Sequence, residues 1–147
     1  AGKDVSKEIR TPEISANVSQ VSALPKVREK MVSLQRQMAG KTDVIMDGRD
    51  IGTTVLPDAE VKIFLVASAR SRAERRLLDF KERGIESNQT VDEIEQDIAA
   101  RDYKDSHRKI SPLKKADDAI EIDTTNMSIE QVVDAILAEI EKSQKNF

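Results

Sequence analysis

Apolar residues recur at helical spacing along most of this chain and crowd into short runs in only three places, a contrast that predicts five helices and three strands. Ile14, Val18 and Val21 form one helical stripe. Thr11, Pro12 and Glu13 precede it as an N-cap, a first-turn proline and an acid at the positive helix end. Pro25 opens a second helix, in which Val27, Met31, Leu34 and Met38 fall on one face and Gly40 suits the residue just past the end. A third runs from about Arg70 to Arg83 and stops at Gly84. Thr90 with Glu93 three residues on has the form of a capping box and starts a fourth, through Ile94 and Ile98 toward Arg108. Ser128 with Gln131 starts the fifth in the same way, with Val132, Val133, Ile136, Leu137 and Ile140 as its expected buried side.

The three apolar runs are Val44 to Met46, about Glu60 to Val66, and Ala119 to Ile122. The second is too continuously apolar for a surface strand and predicts burial on both faces, as in a parallel sheet. Strands alternating with helices predict an α/β fold with a mainly parallel sheet. Three strands make a thin one, with edges that need protection. No internal repeat, low-complexity segment or Gly/Ser linker accounts for the shortage, so the sheet is expected to be incomplete within this sequence.

Composition narrows the function. At 147 residues the chain is long enough for one core. No apolar run approaches the roughly 20 residues that span a bilayer, so the chain reads as soluble and its composition is compatible with the cytoplasm. Without cysteine there is no thiolate metal site and no thiol nucleophile, and the lone His107, read as a surface residue, cannot make a His-rich metal site. Met31, Met38 and Met46 fit core packing. A net charge of -3 argues against a surface built for long nucleic-acid backbones, and only Tyr103 and Phe80 lie near the basic clusters as stacking aromatics.

Three clusters could hold a small phosphate. Asp47-Gly48-Arg49-Asp50 follows the first strand candidate, where a glycine admits a ligand to the backbone and an arginine offers a planar fork of donors; a strand-end turn with an ion pair reads equally well. Arg101, Asp105 and Arg108 fall at i, i+4 and i+7 on one helical face, a pattern that exposed helices also show, here followed by the helix stop Ser111-Pro112-Leu113. Arg70, Arg72, Arg75 and Arg76 crowd the start of their helix, against its dipole, with Glu74 the only acid in the run. An anion or neighbouring acids would offset their repulsion, and a solvated basic face reads equally well.

Taken together, Ser19-Gln20-Val21, Pro25 to Glu29, Asp47 to Thr53, Val61 to Leu65, Arg72 to Arg76, Arg101 to Asp105 and Asp123-Thr124-Thr125 resemble the bacterial cytidylate kinases, in one order from about Ile9 to Lys142. The resemblance implies a P-loop nucleoside monophosphate kinase fold, a parallel sheet with helices on both faces, and transfer of the terminal phosphoryl group of ATP to CMP or dCMP with magnesium as the accompanying ion. Residues 1–42 would belong to the acceptor-binding domain, 43–68 to core strands and loops, 69–113 to the lid and flanking helices, and 114–147 to a closing strand and helix. Ser19, Arg28 and Asp50 would read the cytosine. Arg49 and Arg108 would hold the acceptor phosphate, and Arg101 and Asp105 the sugar hydroxyls or phosphate. Arg72, Arg75 and Arg76 would lie near ATP, with Thr124 and Thr125 in a loop against adenine, and Arg49, Arg75, Arg76 and Arg108 would carry the catalytic electrostatics. No metal ligand is assigned to the protein. The implied partners are nucleotides alone, with neither nucleic acid nor membrane, and the implied state is a monomer.

The family's Gly-rich P-loop, G-x-x-x-x-G-K-[ST], does not occur in these residues, and Ala1-Gly2-Lys3-Asp4 is no substitute. The sequence is therefore expected to be part of a longer kinase, with a first strand, P-loop and first helix elsewhere, and to be inactive alone. The competing expectations are a kinase of this fold for another nucleoside monophosphate, an α/β interaction module with an acidic partner and, third, a nucleic-acid binder.

Overall fold

A computed structural model describes residues 2–6 and 8–145. Its helices are α1 (Pro12–Ser22), α2 (Pro25–Ala39), α3 (Ala69–Glu82), α4 (Val91–His107) and α5 (Ile129–Gln144), and its strands are β1 (Ile63–Val66) and β2 (Ile120–Asp123). All five predicted helices form, and their ends follow from local chemistry. Thr11 Oγ1 accepts from the Ile14 amide at 3.4 Å, and the Thr90 and Ser128 capping boxes close in both directions. The far end of α3 is a Schellman turn: Gly84 sits at φ +64°, its amide reaches the Lys81 carbonyl and the Ile85 amide reaches that of Phe80. Gly40, by contrast, caps α2 at φ -72°, so no left-handed residue is needed there.

β1 and β2 pair in parallel, Ile63 opposite Ile120 through Val66 opposite Asp123. Parallel neighbours need a long crossover, here supplied by α3 and α4, whose first turns are joined by Arg70 with Asp92 and Glu95. The apolar centre lies between those helices, where Ala73, Ile94 and Ile98 are buried with Ala69, Leu77 and Val91 packed around them.

Several expectations fail for want of packing partners. Val44–Met46 is not a strand: no described strand runs beside it to complete a ladder, and Ile45 is 97% exposed. The run from Glu60 yields a strand only at Ile63–Val66, with Leu65 half exposed. On α5, Val133 and Leu137 are exposed rather than buried, as are Met31 and Met38 on α2. The apolar stripe of α2 meets only α1 and the turn at Ile51–Val55, and that of α5 has no extensive contact with any described element, so much of each stays uncovered. Two short elements have no counterpart in the sequence pattern, a 3-10 turn at Glu8–Arg10 and a single π-type turn at Ile51–Val55 with Val55 fully buried.

Replacing Ile94 by Ala is expected to cost about 3 kcal/mol in urea unfolding, whereas the same change at the exposed Ile129 should stay within about 0.5 kcal/mol. In the α4 capping box, the Thr90 amide and then its hydroxyl hold the Glu93 carboxyl below its ordinary value. Its contribution to stability is thus complete above the unfolded-state value and is lost as pH falls through the lower folded-state value. Glu93→Gln should flatten that part of the acid limb in a pH series of unfolding midpoints.

Candidate functional site

The first predicted cluster, the segment before the π-type turn, sends Asp50 into the interior, where its side chain is only 8% exposed. A buried carboxylate must find cations. Asp50 finds Arg28 from α2, which bonds its Oδ2, and Arg108 from the end of α4, whose Nη2 lies 3.7 Å from its Oδ1. The second buried carboxylate, Asp105, projects from the last turns of α4. It accepts from Ser19 Oγ of α1 at 2.8 Å and from Arg49 Nε at 3.3 Å, with Arg101 Nε and Arg108 Nη1 at 3.8 and 3.9 Å.

Seven of the predicted residues, Ser19, Arg28, Arg49, Asp50, Arg101, Asp105 and Arg108, are therefore brought together from two helices, one loop and the end of a third helix. Four guanidiniums against two carboxylates leave a surplus of two positive charges. Three of their buried donors, Arg28 Nε, Arg101 Nε and Arg108 Nη2, have no hydrogen-bond acceptor among the described residues. Burial and then the Arg28 charge push the Arg108 guanidinium below its ordinary value, against the pull of Asp50 and Asp105. Arginine remains charged at neutral pH despite this. Such a receptacle suits an anion with a charge near -2 and several acceptor oxygens, which is the description of a phosphate monoester.

The backbone around the cluster explains how it stays ordered. Ser111 adopts φ 49°, an unusual value for a residue other than glycine, and its carbonyl accepts from Arg108 Nε at 2.5 Å. The Leu113 amide returns to the Asp105 carbonyl at 2.8 Å, so the Ser-Pro-Leu stop folds back on α4. Behind the loop, Lys62 donates to the Pro57 carbonyl and to Asp118, its stem lying alongside Gly52.

The arginines of α3 divide. Arg76 is half-buried, and burial followed by the charge of Arg101 pushes its guanidinium down, with smaller contributions from Arg49 and Arg72 and an opposing one from Asp97. It thus stands at the edge of the cluster. Arg75 is turned elsewhere: its Nη1 donates to Thr124 Oγ1 at 3.2 Å and its Nη2 to the carbonyls of Thr124 and Met127. Thr125 joins the same tie, its Oγ1 accepting from the Ser68 amide and its carbonyl from Ser71 Oγ. Arg72 spans from the Ala67 carbonyl to Asp102, and Arg70 meets Glu74, Asp92 and Glu95. Acids of α4 therefore neutralise the start of α3, a pairing invisible within the run itself. His107 stacks on Tyr103 with ring centroids 3.9 Å apart and enters none of these ion pairs. Among the described residues no three His, Cys, Asp or Glu side chains gather as a metal site would require, and no helix is long and apolar enough to cross a membrane.

Sequence reasoning passed over Arg36. This α2 residue donates through Nε to the Val55 carbonyl at 3.0 Å and through Nη2 to that of Thr54 at 2.5 Å, binding the end of the π-type turn. Its only signal in the sequence is an arginine eight residues after Arg28.

Residues 1–142 match the family model described as cytidylate kinase. The chain is 72% identical over 145 residues to a cytidylate kinase of Lactobacillus johnsonii, and equally to one of Lactobacillus gasseri, an overlap of 99% of this chain and 62% of each relative. A cytidylate kinase of Limosilactobacillus fermentum is 56% identical over 144 residues, or 98% of this chain and 63% of that protein. The chain thus spans somewhat under two thirds of the length of the curated relatives it matches.

Asp105→Asn strips the shared carboxylate from three arginines and is expected to cost about 3 kcal/mol in urea unfolding at low salt. Because the loss arises from unbalanced positive charge, sulfate should restore more of it than sodium chloride of equal ionic strength.

Proposed function

Since the chain belongs to the cytidylate kinase family, we propose that its buried arginine cluster binds CMP or dCMP as the acceptor of the terminal phosphoryl group of ATP. The observation that carries this reading is the convergence of Arg28, Arg49, Arg101 and Arg108 on Asp50 and Asp105 with two positive charges in excess. Arg49 and Arg108 hold the acceptor phosphate. Arg101 and Asp105 meet the sugar hydroxyls or the phosphate. Ser19, Arg28 and Asp50 read the base: the exocyclic amine of cytosine needs an acceptor such as a carboxylate, and its ring nitrogen and carbonyl need donors such as a guanidinium.

No protein nucleophile is needed for phosphoryl transfer, in which positioning and charge stabilisation carry the rate. The cluster does the first by fixing the acceptor phosphate between forks whose carboxylate partners are already in place. Arg76, near enough to Arg101 and Arg49 for their charges to act on it, extends the positive field of the cluster. Arg75 and Arg72 act through structure on this reading, since loop carbonyls and Asp102 already occupy their forks. Thr124 and Thr125 shape the loop to which Arg75 is tied.

The residues present do not fit an ATP–magnesium grip as they fit the acceptor. The Walker-type glycine loop, its lysine and its hydroxyl are not among the 147 residues. We therefore assign these residues acceptor binding, with catalysis requiring a P-loop they do not supply.

Calorimetry with CMP tests the reading. Binding should weaken more than about tenfold in Arg49→Lys, where a point charge replaces a planar fork, and by under about twofold in Arg83→Ala, which removes a surface ion pair with Asp79. Equal affinity for CMP in the wild type and Arg49→Lys would overturn the assignment of Arg49. Steady formation of CDP from CMP and ATP by the purified chain would overturn the restriction to acceptor binding.

A further inference from the structure

The π-type turn that follows Asp50 is a short piece of backbone with heavy duties. The Asp50 carbonyl accepts the amides of Thr54 at 2.8 Å and Val55 at 3.2 Å, and the Ile51 carbonyl accepts that of Leu56 at 2.7 Å. These bonds set the backbone direction at Asp50 and hence the aim of its carboxylate at Arg28 and Arg108. A helical turn this short leaves its last carbonyls without internal partners. Arg36 takes two of them, Thr54 and Val55, from outside the turn.

Arg28 and Arg36 both belong to α2, eight residues and about 12 Å apart along its axis. One rigid helix thus grips the turn at both ends: at Asp50 by the side chain and at Thr54 and Val55 by the backbone. Val55, fully buried, fixes the depth of the turn between the two grips. Arg36 touches neither buried carboxylate. Its guanidinium sits on the solvent side, so its contribution is to register rather than to charge balance.

We propose that Arg36 is a positioning residue that sets base discrimination at the acceptor site by locking the 51–55 turn and, through it, the orientation of Asp50. This rests on the acceptor reading above, in which Asp50 and Arg28 face the base whereas Arg49 and Arg108 face the phosphate. Loosening the turn should therefore degrade recognition of cytosine far more than that of phosphate, because Arg49 and Arg108 keep Asp105 as a partner when Asp50 shifts.

The test compares the wild type, Arg36→Met and Arg36→Lys by amide hydrogen exchange without nucleotide, and by calorimetry with CMP, UMP and ribose 5-phosphate. In Arg36→Met, exchange at the Thr54 and Val55 amides should accelerate, CMP affinity should fall about fivefold, and UMP and ribose 5-phosphate affinities should change by less than about twofold. Arg36→Lys, which still donates to a carbonyl, should fall between. Uniform weakening toward all three ligands, or unchanged exchange at the two amides, would overturn the proposal. Should the wild type bind CMP no better than UMP, the acceptor reading fails by itself. The exchange rates then decide the positioning role: faster exchange in Arg36→Met upholds the lock, and unchanged rates remove it.

Discussion

Burial of two carboxylates is the constraint on which the rest of this structure turns. Asp50 and Asp105 are withdrawn from water, and their burial is compensated by the guanidiniums that reach them. The guanidiniums come from α2, from the loop ahead of the π-type turn and from α4, while α1 contributes a hydroxyl. Ion pairing therefore does for the first forty residues what apolar contact does between α3 and α4. α2 has no buried residue, yet its direction is defined by Arg28 at one point and Arg36 at another.

A cluster of this kind is costly to assemble and specific once assembled. Well-packed apolar side chains in the same volume would hold a fold at least as firmly, so the charges are better explained by what they present than by stability. Positive charge exceeds negative, donors outnumber acceptors, and the side chains are braced by Ser111, by Asp105 and by one another. Donors fixed before a ligand arrives need little reorganisation around a developing charge, which is where electrostatic catalysis gains most.

Legibility from sequence varied with the range of the interactions. Thr90 with Glu93, Ser128 with Gln131, and Gly84 after a charged helix are local signals, and each formed the end it suggested. The arginine and aspartate clusters were legible as types of residue, and the family resemblance assembled them; spacing alone could not show that Asp105 would receive Arg49 from a distant loop. Long-range pairing was what local pattern hid. Arg70 looked unbalanced because its acids, Asp92 and Glu95, lie on another helix. Val44 to Met46 has strand-forming side chains but no described neighbour to bond, and Val133 and Leu137 have a helical stripe without enough sheet beneath it.

The tie between α3 and the 124–127 loop bears on where the molecule can bend. Arg75 and Ser71 fasten the first turns of α3 to that loop, Thr124 is in turn bonded to the end of β1, and Arg72 fastens the same turns to α4. Any swing of α3 that preserves these bonds must pivot near the sheet, and its arc is widest at the opposite end of the helix, around Gly84. Leverage in this fold accordingly belongs to residues remote from the buried charges.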